Sequence, residues 1–385
     1  MSSASGIAPS AEPPVIVQAF HDTLLDDQGR HYLDLFSGFG ACLLGHGRPE
    51  VVQGLAAQVQ GPWLLGGLPH PQTAQLVQAF APHLPAGMTL ASLTSTGMEA
   101  AELAIRVARV ISGRAGALGF AGSMHGKSLA TAYLGWDNHD GVQLPGWQRL
   151  PFVDQADEAA ILADAQQALG SGQIGAVFVE TMQGSNGAHE ASTGFYRQLA
   201  DMTRRAGALL VCDEILTGFY RTGVRFRFEH HGLQPDAVLV GKAFANGFPA
   251  AGLLLARPHA LQPRMLPGST FAGNPLACAA VAHTLQVMGT LDLPALAGEV
   301  AAVVREQFQD LPPGWALRGA GALWVLDCVT PEAGRRMLHA AFRSGVAVGA
   351  YGRWLRIMPA ATVDRARLAQ ACARLSLAAR EASHA

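Results

Sequence analysis

Lysine is nearly missing from this chain. Of 385 residues only Lys127 and Lys242 carry a side-chain amine, and arginine supplies the other 25 basic residues. Lysine is ordinarily among the commonest residues, so chemistry that needs a side-chain amine has two places to reside. Charge of one sign is missing too: the formal net charge of −2 argues against a nucleic-acid surface. The five cysteines, Cys42, Cys212, Cys278, Cys328 and Cys372, include no CxxC pair, so neither a disulfide framework nor a zinc knuckle is suggested. Cys212 lies in an apolar stretch and reads as a buried thiol, not a nucleophile. No apolar run is long enough to cross a membrane. MSSASGIAPSAEPP has neither a basic start nor an apolar h-region and reads as a flexible arm rather than a signal peptide, with the cytoplasm as the expected location.

What is present suits a large enzyme. The 49% apolar residues can fill a substantial core in two domains or one large α/β unit. The first 60 or so residues form an irregular lead-in, in which DDQGRHYLDLF predicts a hairpin turning at Asp26 to Gly29, and PEVVQGLAAQVQ has helical spacing. From about residue 70 to 290 short apolar runs alternate with amphipathic segments, the signature of a mainly parallel sheet with helices on its faces. Strands are expected at Ala117 to Phe120, Ala176 to Glu180, Ala208 to Asp213, Ala237 to Val240 and Gly252 to Ala256. The helix expected over Glu99 to Ile111 places Ala100, Leu103, Ala104, Val107 and Ile111 on one face, with Glu102 and Arg106 spaced to pair on the other. Beyond Pro294 the pattern becomes helices around a small sheet: a helix over Glu299 to Leu311, a strand over Leu323 to Asp327, a helix over Ala333 to Ser344, a strand over Trp354 to Met358 and a last helix from about Val363. The expected division is 1–60 for arm and lead-in, 61–290 for a large domain and 291–385 for a small one.

Asp213 ends the run LLVCD, where a parallel sheet opens its ligand crevice. A carboxylate facing a pyridine nitrogen there would keep it protonated and make the ring an electron sink; the plainer alternative is that Asp213 or Glu214 caps the next segment. Lys242, between AVLVG and AFANGFP, reads as a sheltered amine, and burial lowers an amine's pKa and makes it a nucleophile toward an aldehyde. Lys127, after a short MHG turn, reads as peripheral. In LTSTGMEAAELAIRVAR a turn precedes an amphipathic helix, so the N–H groups of Gly97 and Met98 and the hydroxyl of Thr96 suit an anion. Read structurally, Thr96 is an N-cap with Glu99 completing a capping box. Acid, lysine and anion turn in one sheet fit a pyridoxal phosphate site. Two other classes fit less well. A regulatory module that merely binds the cofactor lacks a basic helix-turn-helix. For a metal enzyme, 14 histidines include one adjacent pair, His230 and His231, while His70, His125 and His139 lack a spacing such as HExxH.

These segments together resemble the class III aminotransferases, fold type I pyridoxal phosphate enzymes that include the ornithine, acetylornithine, 4-aminobutyrate and diaminopelargonate aminotransferases. The resemblance runs from GRHYLDLFSGFGACLLGHGRPEV through STGMEAAELAIRVAR, MHGKS, VFVETMQGSNG, LLVCDEILTGFYRTG, VGKAFANGFPAAGLL and GSTFAGNPLACAAV to LRIMP. It implies an α/β fold with a large, mainly parallel seven-stranded sheet domain and a smaller α/β C-terminal domain. It implies that Lys242 forms the Schiff base with pyridoxal 5'-phosphate, that Asp213 binds the pyridine nitrogen, that Gly97 and Met98 hold the phosphate, and that Thr270 reaches that phosphate from the other subunit of a homodimer with shared active sites. Arg356 in LRIMP falls where the family clamps a substrate carboxylate, a role suited to a planar fork.

Several positions depart from the family pattern. Met124 stands where many relatives stack an aromatic residue on the cofactor before His125 and Gly126. Met98 replaces a serine of the phosphate motif, and Leu216 replaces a glutamine that bonds the ring hydroxyl. Gln183, Gly184, Ser185 replace a QGE whose glutamate pairs with the arginine matching Arg356. Without that glutamate Arg356 is expected to stay available, which favours an α-amino acid or keto acid clamped in both half-reactions. The STG turn and Ser185 also resemble the dialkylglycine decarboxylase branch. The implied activity is ping-pong transfer of an amino group from an amino acid or amine to a keto acid, with Lys242 removing the Cα proton. Racemisation or epimerisation and decarboxylating transamination are the alternatives within the family. Trp63, Met124, Trp136 and Tyr220 are candidates for the pocket walls.

Overall fold

Apolar runs flanked by turn residues become the strands of three sheets in the computed structural model, which describes residues 14–136, 144–257, 259 and 266–383. The arm expected over residues 1–13 and His139 lie outside the described residues. The first sheet begins with β1 (Ile16–Phe20), β2 (Thr23–Asp26) and β3 (His31–Asp34). The hairpin forms where the sequence predicts it. Asp26 accepts hydrogen bonds from the N–H groups of Gln28 and Arg30 at 3.0 and 2.8 Å, and Gly29 takes a φ of 77° that other residues resist. All five residues of β1 are exposed, so no buried periodicity announces that strand.

The central sheet holds β4 (Met88–Thr94), β5 (Gly116–Phe120), β6 (Gln148–Leu150), β7 (Ile174–Val179), β8 (Leu209–Asp213), β9 (Ala237–Val240) and β10 (Ala251–Ala256). Their spatial order is β4-β10-β9-β8-β7-β5-β6. Only β10 runs against its neighbours. Strands β7, β8 and β9 are buried along their whole length, which is why they read as unbroken apolar runs. The two strands that the sequence pattern misses, β4 and β6, are the sheet edges. One is half-buried and rich in threonine and serine, and the other has three residues.

The C-terminal residues supply β11 (Ala316–Ala320), β12 (Leu323–Asp327), β13 (Val346–Ala347), β14 (Gly349–Tyr351) and β15 (Trp354–Ile357), with the third sheet ordered β11-β12-β15-β14. Strand β13 instead pairs in parallel with β3 and completes the first sheet. The helix expected from Glu299 starts earlier, at Leu293, because the side chain of Asp292 caps the N–H of Ala295 at 3.1 Å. Pro294 thus lies in the first helical turn, where its missing N–H costs nothing. Leu355 and Ile357 of β15, with Trp324 and Leu326 of β12, point into a core shared with the helices Pro331–Arg343 and Arg365–Ser383. By strand alternation, Arg318, Val325, Asp327, Gly349, Tyr351, Trp354 and Arg356 share the opposite face.

Candidate active site

Two adjacent parallel strands, β8 and β9, deliver Asp213 and Lys242 to the same edge of the central sheet. Asp213 is the last residue of β8, and Lys242 follows β9 after Gly241. Lys242 takes a φ of 49°, rare for a residue with a side chain. Burial lowers the pKa of its amine to about 8, against the opposing pull of Asp213 and Glu180, and the nearby charges of Arg356 and Arg221 push the same way as burial. Asp213 is buried, and its Oδ2 lies 2.8 Å from Nδ1 of His125. Burial works against a charged imidazole, but the hydrogen bond and charge of Asp213 outweigh it, so the pKa of His125 stands above its ordinary value. Asp213 also takes the capping part, its Oδ1 accepting the N–H of Ile215 at 3.0 Å, and Glu214 is engaged elsewhere. That carboxylate accepts from the N–H groups of Arg227 and Phe228 at 3.0 and 2.7 Å and from the Thr217 hydroxyl, while Asp213 faces His125.

The turn before the helix Gly97–Ser112 reaches this pair. Thr96 and Glu99 form the expected capping box: Thr96 Oγ1 accepts the N–H of Glu99 at 3.2 Å, and Glu99 accepts the N–H groups of Ser95 and Thr96. The amides of Gly97 and Met98, first in the helix, are left without helical acceptors, so the cap does not use them up. A Cβ on Gly97 would fall 2.5 Å from Cδ1 of Ile215, two residues past Asp213. One on Gly126 would fall 2.9 Å from Cγ of Met98. The phosphate turn, the Met124-His125-Gly126 turn and Asp213 therefore form one constellation. Glu102 accepts the hydroxyl of Ser128, which ties the MHG turn to the same helix. Lys127 is exposed, as the sequence suggests.

Arg356 is buried on β15, and among the described residues no carboxylate pairs with it. Its guanidinium carbon lies 5.3 Å from the ring centre of Phe39, and its Nε has no hydrogen-bond partner. Burial lowers its pKa below the ordinary arginine value. The QGS loop faces the same surface, because Met182 and Ala188 cluster with Val325, the residue opposite Arg356, and with Leu216. Ser185 lies within this loop, half-buried. Phe39 is carried by an unusual turn: Ser37, Gly38, Phe39 and Gly40 have φ of 48, 57, 61 and 78°. Asp34 secures its start, accepting the N–H groups of Phe36 and Ser37 at 2.8 Å each.

Other expected positions are not brought in within one protomer. Thr270 is exposed beside Phe271, and Trp63 is 58% exposed with its indole donating to the carbonyl of Val59. Tyr220 packs against the ring of His83, away from the pocket. Trp136 does reach the Arg356 face, 5.2 Å from Tyr351.

A family model for class-III aminotransferases matches residues 8–379. The chain belongs to that family. This aminotransferase is 34% identical over 370 residues to the acetylornithine aminotransferase of Bacillus subtilis, covering 92% of each chain. It is 31% identical over 335 residues to the [LysW]-aminoadipate semialdehyde/glutamate semialdehyde transaminase of Sulfurisphaera tokodaii, covering 83% of this chain and 82% of that one. An amine transaminase from an uncultivated Pseudomonas species, solved in its pyridoxal-phosphate-bound form, superposes with a TM-score of 0.86 at 26% identity over 98% of both chains. The fold is thus fold type I, the cofactor is pyridoxal phosphate and the reaction is transamination. These relatives favour transamination over the racemising and decarboxylating alternatives.

Three functional neighbours of Asp213 and Lys242 escape a reading of single residues. Glu180, one residue past β7, accepts the N–H of Met124 at 2.6 Å, and burial, reinforced by Asp213, raises its carboxyl pKa to about 7. Gln183 holds the turn before Met124 by donating to Ala121 O and Ser123 Oγ at 2.9 and 3.0 Å. Ile215 backs both Gly97 and Gly241. Their common signal is position at or just past a strand's carboxyl end, the same signal that picks out Asp213.

Proposed function

We propose that Lys242 anchors the cofactor's aldehyde carbon and afterwards moves the substrate's Cα proton, while Asp213 holds the pyridine nitrogen. The observation that carries this is the buried Asp213–His125 contact of 2.8 Å beside an amine whose pKa is lowered to about 8. The residues fit the cofactor: a buried carboxylate for the ring nitrogen, unpaired helix-start amides at Gly97 and Met98 for the phosphate, and Ile215 and Met124 for the ring faces. When bound, pyridoxal phosphate supplies an electron sink that stabilises negative charge at Cα. His125 pairs with Asp213 at 2.8 Å and orients that carboxylate. Glu180 fixes the backbone of Met124. Thr96 adds a hydroxyl to the phosphate turn.

Arg356 serves as a permanently open clamp for the substrate carboxylate, with Ser185 in the facing loop. The substrates are accordingly an amino acid donor and a keto acid acceptor. A second copy of the chain completes the site, with Thr270 reaching its partner's phosphate turn. In support, Thr270 and Phe271 are exposed, and the residues on either side of them, Ser269 and Ala272, line with Met98 an open cavity of about 450 Å³ against the helix Gly97–Ser112. The parts 1–60, 61–290 and 291–385 act as lead-in, cofactor domain and small domain. Among the described residues no single helix is long and apolar enough to cross a membrane. The cytoplasm suits the five unpaired cysteines.

The deciding experiment follows the absorbance of the holoenzyme when amino acids are added without a keto acid. Conversion to the pyridoxamine form, lost in Lys242→Ala, supports the assignment. Conversion that persists undiminished in Lys242→Ala refutes it.

A further inference from the structure

The chain is only 7% aromatic, yet aromatic rings gather around Arg356. Phe39 lies over its guanidinium at 5.3 Å and touches Phe36 at 4.4 Å between ring centres. Gly349, opposite Arg356 in the β14–β15 register, has no room for a Cβ because Phe36 Cε2 would lie 2.5 Å from it. Two residues along the same face, Tyr351 stacks on Trp354 at 6.4 Å, and its other neighbour is Trp136 at 5.2 Å. Arg356 is 8% exposed, whereas Phe39 is 45% and Tyr351 38% exposed. A buried, unpaired cation is thus rimmed by rings that still have free surface.

We propose that this surround is the side-chain pocket of the substrate, and that it selects a carboxylate carrying an aromatic group, with Phe39 and Tyr351 as the specificity-determining residues. The inference rests on Arg356 being the carboxylate clamp. Three observations favour an aromatic side chain over a cationic one. Asp327, the carboxylate on this face of the sheet, is already paired with Arg318 and Arg353 at 2.8 and 3.1 Å, so it is not free to receive an ammonium group. Free ring surface is best covered by another ring, through apolar burial and edge or offset stacking. Finally, Phe39 is held in a run of left-handed residues, a costly conformation that persists where the surroundings enforce it and that collects at ligand clamps. The charge of Arg356 is among those that act on the amine of Lys242, so the clamp faces the same amine.

The test is equilibrium binding of unreactive carboxylates to the holoenzyme, read by quenching of tryptophan fluorescence and by calorimetry. 3-Phenylpropionate is expected to bind about tenfold or more tighter than butyrate, and 5-aminopentanoate no better than butyrate. Phe39→Ala and Tyr351→Ala should each weaken phenylpropionate binding severalfold more than butyrate binding, so that most of the preference is lost; Phe39→Leu and Tyr351→Leu serve if the alanine variants unfold. Equal binding of phenylpropionate and butyrate to the unaltered protein, or tightest binding of the aminated ligand, overturns the proposal. Arg356→Ala separates the two readings. Loss of all carboxylate binding upholds the clamp, whereas unchanged butyrate affinity removes the clamp and with it the basis for the pocket.

Discussion

Asp213 Oδ2 and His125 Nδ1 lie 2.8 Å apart with both side chains almost wholly buried. The pair is asymmetric: Asp213 has a second acceptor bond from the N–H of Ile215 at 3.0 Å, whereas Nε2 of His125 has no partner. His125 is therefore held by the acid alone, whereas the acid has a second donor. His125→Phe should leave the carboxylate short of a charged donor, at a cost of about 1.5–3 kcal/mol. The expected result is cofactor affinity reduced by about ten- to a hundredfold with the fold retained, measured by equilibrium dialysis of pyridoxal phosphate against circular dichroism. An unchanged dissociation constant would mean that His125 is packing alone.

The amine of Lys242 is lowered from 10.5 to about 8. Only its neutral form attacks an aldehyde, so cofactor capture by the cofactor-free protein should accelerate as pH rises and level off above about 8. Stopped-flow absorbance after mixing with pyridoxal phosphate reads this directly. A profile still climbing at pH 10 would place the amine in an aqueous setting.

Arg356→Ala removes the buried cation proposed to meet the substrate carboxylate. Truncating such a pair costs about 2–5 kcal/mol, so KM for carboxylated donors should rise by more than about thirtyfold, while simple amines change little. Steady-state kinetics with an amino acid and its decarboxylated amine check the split, and equal effects on both place the clamp elsewhere.

Gly97→Ala would set a methyl 2.5 Å from Cδ1 of Ile215. Overpacking of this kind costs about 1–3 kcal/mol. Because Ile215 follows Asp213 by two residues, the strain should appear as weaker cofactor binding more than as a lower melting temperature. Calorimetry and thermal melting in parallel distinguish the two, and an unaltered cofactor affinity would detach this turn from the site.

His46 lies 2.8 Å from Asp34, and the hydrogen bond that its ring donates to that acid, helped by Cys42, raises its pKa from 6.5 to about 10 against the effect of burial. A group whose folded pKa is raised stabilises the fold fully below its unfolded value and loses that contribution as pH climbs through the folded one. The unfolding midpoint should accordingly fall between pH 6.5 and 10, and His46→Asn should flatten that part of the curve. A parallel slope in both proteins would assign the pH dependence to other groups.

Much of this was legible in the sequence, for identifiable reasons. Strands buried on both faces, such as β8 and β9, appear as apolar runs, and their carboxyl ends place Asp213 and Lys242 without further information. The Thr96–Glu99 capping box is local and readable as such. What escaped depends on neighbours distant in the chain. Glu180 matters because Met124, 56 residues away, lends it an N–H. The surroundings of Arg356 depend on Phe39 and Tyr351, brought together by three different segments. Strand β1 is invisible because it buries nothing, and β6 because it is three residues long.

The parallel pairing of β13 with β3 joins Val346 to Leu33 and Ala347 to Asp34. Nearby, Arg367 reaches Asp22, and Asp364 donates its N–H to the same acid at 3.2 Å. Residues made early in synthesis thus wait for partners more than 300 positions later. The segment that presents Phe39 has no finished support until those partners emerge. Long-range pairings of this sort slow folding because the chain pays for closing the loop before it gains the contact. On the ribosome, the cofactor sheet can assemble first, and the substrate side of the pocket is among the last pieces to acquire its shape.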